Sequence, residues 1–234
     1  MRKIQIAATI IAIIITAGAV RASSWDFGVK LGLNQTTLTN TYESEGMNAL
    51  TAGLYAENKL GSFYGVYFEM AYTNRKTDSR EDYRNLKQFY LYQDDYNNRE
   101  DYILKTLTDA HYIDLDAALK LFLPDYNRIS PYVYGGPVVS LLVDGHKTAT
   151  RRSFETVYDM DSPKFVGGYA IGAGFDFNFN GFKSSVDIRM TKALTKIANY
   201  KVISPAIDHP FYNYDPSYKS DFISATIGIG FFSK

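Results

Sequence analysis

Two carboxylates and a histidine form the segment of this sequence that most suggests chemistry. Asp114 and Asp116 follow closely after His111. Acid–base catalysis and divalent metal sites use these residue types. The segment alternates polar and apolar residues, so in an extended strand the two aspartates share one face and His111 points from the other. The pattern favours a network of salt bridges buried inside the fold. One alternative is a proton path or a narrow channel, and the other is catalysis.

Other candidate ligands and nucleophiles are dispersed along the chain. His111, His146 and His209 fall at a strand start and in two loops, and none is followed two residues later by a serine, the spacing at which a histidine and a serine can act together on one strand. The absence of Cys excludes disulfides, zinc–thiolate sites and thiol nucleophiles. An acidic run at 94–101 lacks the glycine of an EF-hand loop. We therefore predict no catalytic residue, no cofactor and no metal site.

The composition narrows the class of protein. The 25 Lys and Arg residues balance 25 Asp and Glu residues, so the basic excess that phosphate binding requires is absent. A nucleic-acid partner is not expected. Aromatic residues make up 15% of the chain beside 17 glycines, and aromatic side chains fit a pleated sheet better than a helix. The composition therefore favours β structure.

The N-terminal segment has the features of an export signal. Arg2 and Lys3 precede an apolar run over residues 4–20, and small residues offer a cleavage site after Ala22. We predict a signal peptide at 1–22, Sec-type export, and a single domain at 23–234. The rival interpretation is an uncleaved anchor, because about 17 apolar residues is the lower limit for a spanning helix.

Most of the remaining chain alternates apolar and polar residues with a period of two. In residues 25–34, for example, Val29 and Leu31 lie on one face and Lys30 on the other. This is typical of membrane-spanning β-strands, which need only about 9–11 residues. The segments are 25–34, 49–58, 64–73, 111–123, 132–142, 165–179, 182–191 and 223–231. We predict an all-β fold, an antiparallel up-and-down transmembrane β-barrel of about eight strands.

The connections between these segments alternate in length. Short ones lie at 60–62, 124–130 and 180–181, and long polar ones lie at 35–48, 75–109, 143–164 and 193–220. Outer-membrane barrels have short periplasmic turns and longer outer loops, whereas a soluble β-sandwich is not expected to sort its loops in this way. Within 132–142, the run Gly135-Gly136-Pro137 predicts a bulge or kink.

The inward faces carry seven acidic and four basic residues, which we predict to form a polar network in the lumen. They are Asp26, Glu57, Glu69, Asp114, Asp116, Asp176 and Asp187, with Lys30, Lys120, Lys183 and Arg189. An eight-stranded barrel has room only for side chains, and buried charges must be paired. Glycines of the first and last strands, such as Gly28 and Gly230, are expected to face bulky residues of the fourth and fifth strands across the lumen, among them Asp114, Asp116 and Lys120. We therefore predict a filled interior.

The outer loops are rich in tyrosine, which gives a large contact area at a low entropic cost. Tyr90, Tyr92, Tyr96 and Tyr102 form a candidate recognition loop within 75–110, which is either a loop or an extended hairpin. The alternative is that these rings pack on one another or lie at the membrane interface.

Several of these segments also carry a family resemblance. They are FGVKLGLNQTTL at 27–38, YIDLDAALKLFLP at 112–124, PYVYGGPVVSLL at 131–142, FVGGYAIGAGFDF at 165–177 and SVDIRMTKALTKI at 185–197. Together they resemble the PorT-like outer-membrane β-barrel family, small barrels of the OmpA/OmpX type. The resemblance implies a membrane protein in the outer membrane of a Gram-negative bacterium, and some members of the family are linked to protein secretion.

The expected role is structural, accessory or surface recognition and not enzymatic, with a narrow pore or a membrane-embedded hydrolase as alternatives. The expected partners are outer-membrane lipid, the outer-membrane assembly machinery and an extracellular or envelope protein.

Overall fold

The computed structural model describes residues 25–39, 43–82, 103–151, 154–159, 165–179, 182–195 and 219–231. These residues form the strands β1 (Trp25–Thr39), β2 (Glu43–Lys59), β3 (Tyr64–Asp82), β4 (Ile103–Phe122), β5 (Ile129–Arg151), β6 (Phe154–Asp159), β7 (Phe165–Phe179), β8 (Phe182–Ala193) and β9 (Lys219–Phe231). No helix in this part of the chain is long and apolar enough to cross a membrane. Several predicted features lie outside the described residues. They are the signal peptide at 1–22, the acidic run at 94–101, the turn Asn180-Gly181, His209 with most of the connection at 193–220, and the tyrosines Tyr90, Tyr92, Tyr96 and Tyr102.

Eight strands close into a barrel in which each strand is antiparallel to its neighbours. β1 pairs with β9 in a continuous register from Phe27↔Phe231 to Thr39↔Lys219, and pairing between β4 and β5 closes the ring. β6 is an additional strand, since it pairs with the far end of β5, from His146↔Asp159 to Arg151↔Phe154. The predicted antiparallel barrel is therefore confirmed.

The period of two in the sequence determines what each side of the wall contacts. On β1, Leu31 is 65% exposed on the outer side, whereas the preceding Lys30 is 4% exposed and faces the interior. On β8, Ile188 is 63% exposed and the preceding Asp187 is 2% exposed. Successive side chains of a strand point to opposite faces, so the same strands build an apolar outer band and a polar lumen.

The strands continue further than predicted, into segments that we expected to be loops. β3 and β4 remain paired as far as Asp82↔Ile103, so the described part of 75–109 is an extended hairpin. β5 runs through much of 143–164 and is followed there by β6. Of the two alternatives for 75–110, the described residues therefore show the extended hairpin, whereas the loop expected at 143–164 was wrong over much of its length. Backbone pairing continues beyond the point where the apolar alternation ends.

At Gly135-Gly136-Pro137, where a bulge or kink was predicted, the pairing of β5 with β4 is interrupted between Asp116↔Val138 and Leu119↔Gly135, but the register does not shift. This run keeps a continuous register with β7. A Cβ on Gly136 would lie 2.0 Å from the carbonyl oxygen of Ala117, so glycine here permits close approach of β4. The register shift occurs at Val143, because Leu142 pairs with Tyr112 while Asp144 pairs with His111. The extra residue on β5 is a β-bulge.

Candidate functional site

Ten of the eleven charged residues predicted for the lumen are buried in the barrel interior. The remaining one, Asp26, lies at the rim with its side chain 30% exposed. The buried charges fall into three tiers along the barrel axis. We number the tiers from the end that carries the short turns.

The first tier is a closed cycle of two lysines and two carboxylates. Lys120 Nζ lies 2.5 Å from Glu57 Oε2 and 2.9 Å from Asp176 Oδ2. Lys183 Nζ lies 2.6 Å from Glu57 Oε1 and 2.9 Å from the same Asp176 oxygen. Lys183 also lies 3.9 Å from Asp26 Oδ2. Because the four residues of the cycle come from β2, β4, β7 and β8, the cycle links strands on several sides of the lumen.

The second tier is a chain of alternating charges across the lumen. Lys30 Nζ donates to Asp187 Oδ2 at 2.6 Å and lies 3.6 Å from Glu69 Oε2. Arg189 Nη1 lies 3.4 Å from Glu69 Oε1 and also donates to Asp116 Oδ2. The order of charges is therefore Asp187, Lys30, Glu69, Arg189, Asp116. Each base lies between two acids, which is the pairing that buried charges require.

The third tier is built around Arg75, which the sequence analysis missed. Its Nη2 donates to Asp114 Oδ1 at 2.6 Å and to Ser140 Oγ at 2.8 Å. The guanidinium carbon lies 4.2 Å from the ring centroid of Tyr112 and 4.3 Å from that of Phe222. The cation is thus held between two aromatic faces, an arrangement that favours arginine over lysine.

Arg75 was missed because residues 75–109 were taken as a long polar connection beyond the alternating segments. A signal was present, since Thr73, Arg75 and Thr77 continue the inward parity of β3 and all three are buried. At the same level, Ala110, Tyr112, Val166 and Ala193 form a small buried apolar cluster.

Three inward tyrosines each lie opposite a glycine on a neighbouring strand. The pairs are Tyr55 with Gly28, Tyr132 with Gly174, and Tyr134 with Gly172. A Cβ on Gly28 would lie 2.4 Å from the Tyr55 ring, and one on Gly174 would lie 2.7 Å from the hydroxyl of Tyr132. The glycines are therefore covered by tyrosines of adjacent strands.

This arrangement corrects the expectation that Asp114, Asp116 and Lys120 reach across the lumen to the glycines of the first and last strands. Lys120 contacts Glu57 and Asp176, Asp116 contacts Arg189, and Asp114 contacts Arg75. Side chains of adjacent strands already occupy the space beside these glycines: Tyr55 at Gly28 and Gly230, Thr226 at Gly32, and Ser185 at Gly228. The charged side chains of β4 therefore pair with other charged residues.

One side of the lumen is lined by buried oxygens that have no hydrogen-bond partner among the described residues. They lie mainly on β1, β8 and β9: Asn34 Oδ1 and the hydroxyls of Thr36, Thr191, Ser220, Ser224 and Thr226. Buried polar groups are nearly always hydrogen-bonded to protein or to ordered water. This side of the interior therefore has the chemistry to bind water.

His111 does not join the interior carboxylates. It lies on the outer face of β4, where its Nδ1 is 2.5 Å from the Tyr72 hydroxyl. His146, expected in a loop, lies in β5 beside His111, so the prediction that these two histidines are scattered was wrong. Across the described ranges, no three His, Cys, Asp or Glu side chains converge on one point as metal ligands do.

Comparison with known proteins identifies a family and a set of similar barrels. The sequence model of the family described as "Outer membrane protein beta-barrel domain" matches residues 17–199. No curated protein matches the sequence.

Among solved structures, the neisserial surface protein A is 11% identical, with 87% of this chain and 96% of that chain covered and a TM-score of 0.43. The attachment invasion locus protein Ail of Yersinia pestis is 13% identical, with 89% and 99% covered and a TM-score of 0.44. The outer membrane protease OmpT of Escherichia coli is 10% identical, with 89% and 96% covered and a TM-score of 0.42. At such identities and TM-scores these similarities carry no information on function.

Proposed function

Because this chain belongs to the outer membrane protein beta-barrel domain family and lies in the outer membrane, we propose that it is a non-conducting barrel that presents a binding surface outside the cell. Ion pairs between charged residues fill the interior, and the longer strands extend the proposed binding surface beyond the membrane. The proposed partners are an extracellular or envelope protein, outer-membrane lipid and the assembly machinery that folds the barrel. Membership of the PorT-like group, and with it a link to secretion, stays a prediction from the sequence.

The filled interior is the observation that carries this proposal. Three tiers of ion pairs and the inward tyrosines occupy the lumen from Glu57 to Arg75. Eight strands enclose only enough space for side chains. Opening a path would separate several buried ion pairs at once, and each separation leaves an unpaired buried charge.

The unequal lengths of the strands support a role outside the membrane. β3, β4 and β5 contain 19, 20 and 23 residues, whereas β8 and β9 contain 12 and 13. A spanning strand needs about 9–11 residues, so the longer strands have about ten residues to spare. At about 3.3 Å per residue, this is enough for a sheet of β3, β4, β5 and β6 that rises well above the bilayer on one side.

The same geometry argues against catalysis in the lumen. Each buried carboxylate of the three tiers accepts a hydrogen bond from a lysine, arginine, tyrosine or threonine side chain. Acid–base catalysis needs a carboxylate that is within reach of a substrate. We therefore propose a non-enzymatic role.

The unpartnered hydroxyls favour one second candidate, a narrow path for water or small ions along β1, β8 and β9. Thr191, Ser224 and Thr226 line this side from three different positions in the lumen. Hydroxyl groups of this kind line many polar pores.

Planar-bilayer recording of the purified barrel separates the two candidates. We expect no steady conductance, because the ion pairs close the lumen. The combined change Asp114→Ala, Asp116→Ala and Lys120→Ala should reduce stability and give small flickering currents. Steady conductance in the unmodified protein, altered by Ser224→Ala, would establish the narrow pore instead.

Replacing residues 83–102 by Asn-Gly tests the binding surface. The cross-strand pair Asp82↔Ile103 can be joined by this two-residue turn without changing the barrel. A partner that co-purifies from outer membranes with the full chain should be lost from this variant. The matched control replaces the exposed turn between β4 and β5, which lies at the opposite end of the barrel, and it should retain the partner. Equal recovery of the partner by all three proteins would exclude recognition by residues 83–102.

A further inference from the structure

Among the described residues, the buried charges of the second tier do not balance. This tier holds the carboxylates of Asp187, Glu69 and Asp116 but only two bases, Lys30 and Arg189. The first tier pairs two buried carboxylates with two lysines, and the third pairs one carboxylate with one arginine. With every group ionised, the second tier would carry one uncompensated negative charge inside the barrel. A buried charge without a partner is costly, and such a group is usually neutralised by a proton instead.

The excess charge lies on Glu69 and Asp116. These two residues are direct cross-strand partners on β3 and β4, and both side chains are buried in the lumen. Residues directly opposite one another have Cβ atoms about 4.5–5.5 Å apart, and like charges at this spacing are destabilising. One nitrogen, Arg189 Nη1, serves both carboxylates, whereas Lys30 Nζ lies closer to Asp187, at 2.6 Å, than to Glu69, at 3.6 Å. Glu69 and Asp116 therefore compete for a single base.

One oxygen of this pair has no donor to stabilise a negative charge. Asp116 Oδ1 is buried and has no hydrogen-bond partner among the described residues. The other three oxygens of the pair are engaged, because Arg189 contacts Asp116 Oδ2 and Glu69 Oε1, and the Tyr67 hydroxyl donates to Glu69 Oε2. A protonated carboxyl oxygen is itself a donor, so a proton on Asp116 Oδ1 would give this atom a hydrogen-bonding role.

We propose that Glu69 and Asp116 share one proton at neutral pH, carried on Asp116 Oδ1 with Glu69 across the strand pair as its acceptor. Two carboxylates that share a site do not both ionise, and such a pair titrates as a unit. The shared proton brings the charge of the second tier to zero. The barrel interior is therefore a proton-binding site, and its packing depends on that proton.

The groups around the pair leave the excess charge uncompensated within the described part of the chain. The bases of the first and third tiers are already paired with carboxylates of their own. The tyrosines are neutral and act as hydrogen-bond donors, as Tyr67 does to Glu69. The charged and titratable groups are Lys30 on β1, Tyr55 on β2, Tyr67 and Arg75 on β3, Asp114 on β4, Tyr134 on β5, and Asp187 and Arg189 on β8.

A shared proton makes the stability of the barrel depend on pH. Carboxyl groups in water ionise above a pH of about 4, so at neutral pH the unfolded chain holds no proton on Glu69 or Asp116. The folded chain binds one more proton than the unfolded chain, and its stability therefore falls as the pH rises. The unfolding equilibrium constant should increase by up to tenfold per pH unit from this cause, because unfolding releases one proton.

Infrared spectroscopy of the detergent-folded full chain tests the proposal. A protonated carboxylic acid has a carbonyl stretching band that lies apart from the bands of carboxylates and amides. We expect this band in the unmodified protein at pH 7. It should be lost in both Asp116→Asn and Glu69→Gln, because either change removes the excess charge and lets the remaining carboxyl group ionise. Both substitutions preserve the shape of the side chain, so the variants should fold.

Asp176→Asn is the matched control, because it neutralises a buried carboxylate of the charge-balanced first tier. This variant should retain the band. Urea unfolding in vesicles between about pH 5 and pH 8 gives a second readout, in which the unfolding constant of the unmodified chain should rise more steeply with pH than that of Asp116→Asn. The histidines, which titrate in the same range, are common to both proteins and cancel in the comparison.

Two results would overturn the proposal. One is the absence of the band from the unmodified chain at pH 7, together with equal pH dependence of unfolding in the unmodified chain and Asp116→Asn. The other is a band that survives either Asp116→Asn or Glu69→Gln, because the proton would then lie outside this pair.

Discussion

Tyr134 on β5 and Gly172 on β7 are cross-strand partners, and the tyrosine ring lies where a side chain of Gly172 would be. A Cβ on Gly172 would lie 2.5 Å from the Cζ atom of that ring. The Tyr134 hydroxyl in turn donates a hydrogen bond to Asp187 Oδ1 at 3.1 Å. The glycine therefore decides where a tyrosine lies and, through it, where a buried carboxylate is held. Aromatic cover of a cross-strand glycine is a recognised way of stabilising sheets.

Gly172→Ala should destabilise the barrel, because the new methyl group overlaps the Tyr134 ring. Overpacking of this kind typically costs about 1–3 kcal/mol. The measurement is urea unfolding of the protein in lipid vesicles, followed by loss of heat-modifiable electrophoretic mobility.

Gly167→Ala is the control on the same strand, since its Cβ would meet only Thr195 at 3.8 Å. It should leave the unfolding midpoint almost unchanged. Tyr134→Leu combined with Gly172→Ala should cost less than the sum of the two single changes. Strict additivity would show that the ring does not hold the position described here.

The alternation that defined the strands could be read from the sequence because it is local. Lys30 and Leu31 are adjacent residues with opposite environments, and a period of two is enough to separate them. The inward positions of Glu57 and Arg189 followed from the same rule.

The partners of these charges could not be predicted, because they depend on how distant strands are staggered around the ring. Lys30 pairs with Asp187, which is 157 positions away in the chain. The bulge at Val143 was also missed, because residues 143–164 were assigned to a connection and the irregularity was expected at Gly135-Gly136-Pro137. It nevertheless reverses the parity of β5 and moves His146 to the outer face.

Arginine substitutions should distinguish the outer band from the turns. Ile188→Arg places a charge on the lipid face, which costs about 2–4 kcal/mol at the bilayer midplane. Leu60→Arg is the control, because Leu60 is exposed in the turn between β2 and β3, where the cost is expected to be about 0–1 kcal/mol. Folding yield into vesicles measures both. Equal yields would mean that the face carrying Ile188 does not meet lipid.

Protease accessibility should reveal the orientation of the barrel. A cleavable tag inserted after Asn97 is expected to be cut on intact cells, because the β3–β4 hairpin projects from the end with the longer strands. A tag inserted after Asp125, in the short turn between β4 and β5, should be protected until the outer membrane is opened. The reverse result would invert the orientation, and protection of both tags on intact cells would place neither end outside.

Lys120→Met should be among the most destabilising single changes in the barrel. Lys120 contacts Glu57 and Asp176 in the first tier, and its loss leaves Lys183 as the remaining base between these two buried carboxylates. Removing one partner from a buried charge network typically costs about 3–5 kcal/mol.

Lys76→Met is the matched control for that change. Its partner Asp109 is on the outer face and one-third exposed, and a surface ion pair contributes about 0–1 kcal/mol.

Adding Asp176→Asn to Lys120→Met removes one of the stranded carboxylates and should recover part of the lost stability. Both Lys120 variants are measured against the unmodified barrel by urea unfolding in vesicles. If Lys120→Met costs no more than Lys76→Met, the first tier is not a dry ion-pair cycle but a hydrated one in which water replaces the missing ammonium group.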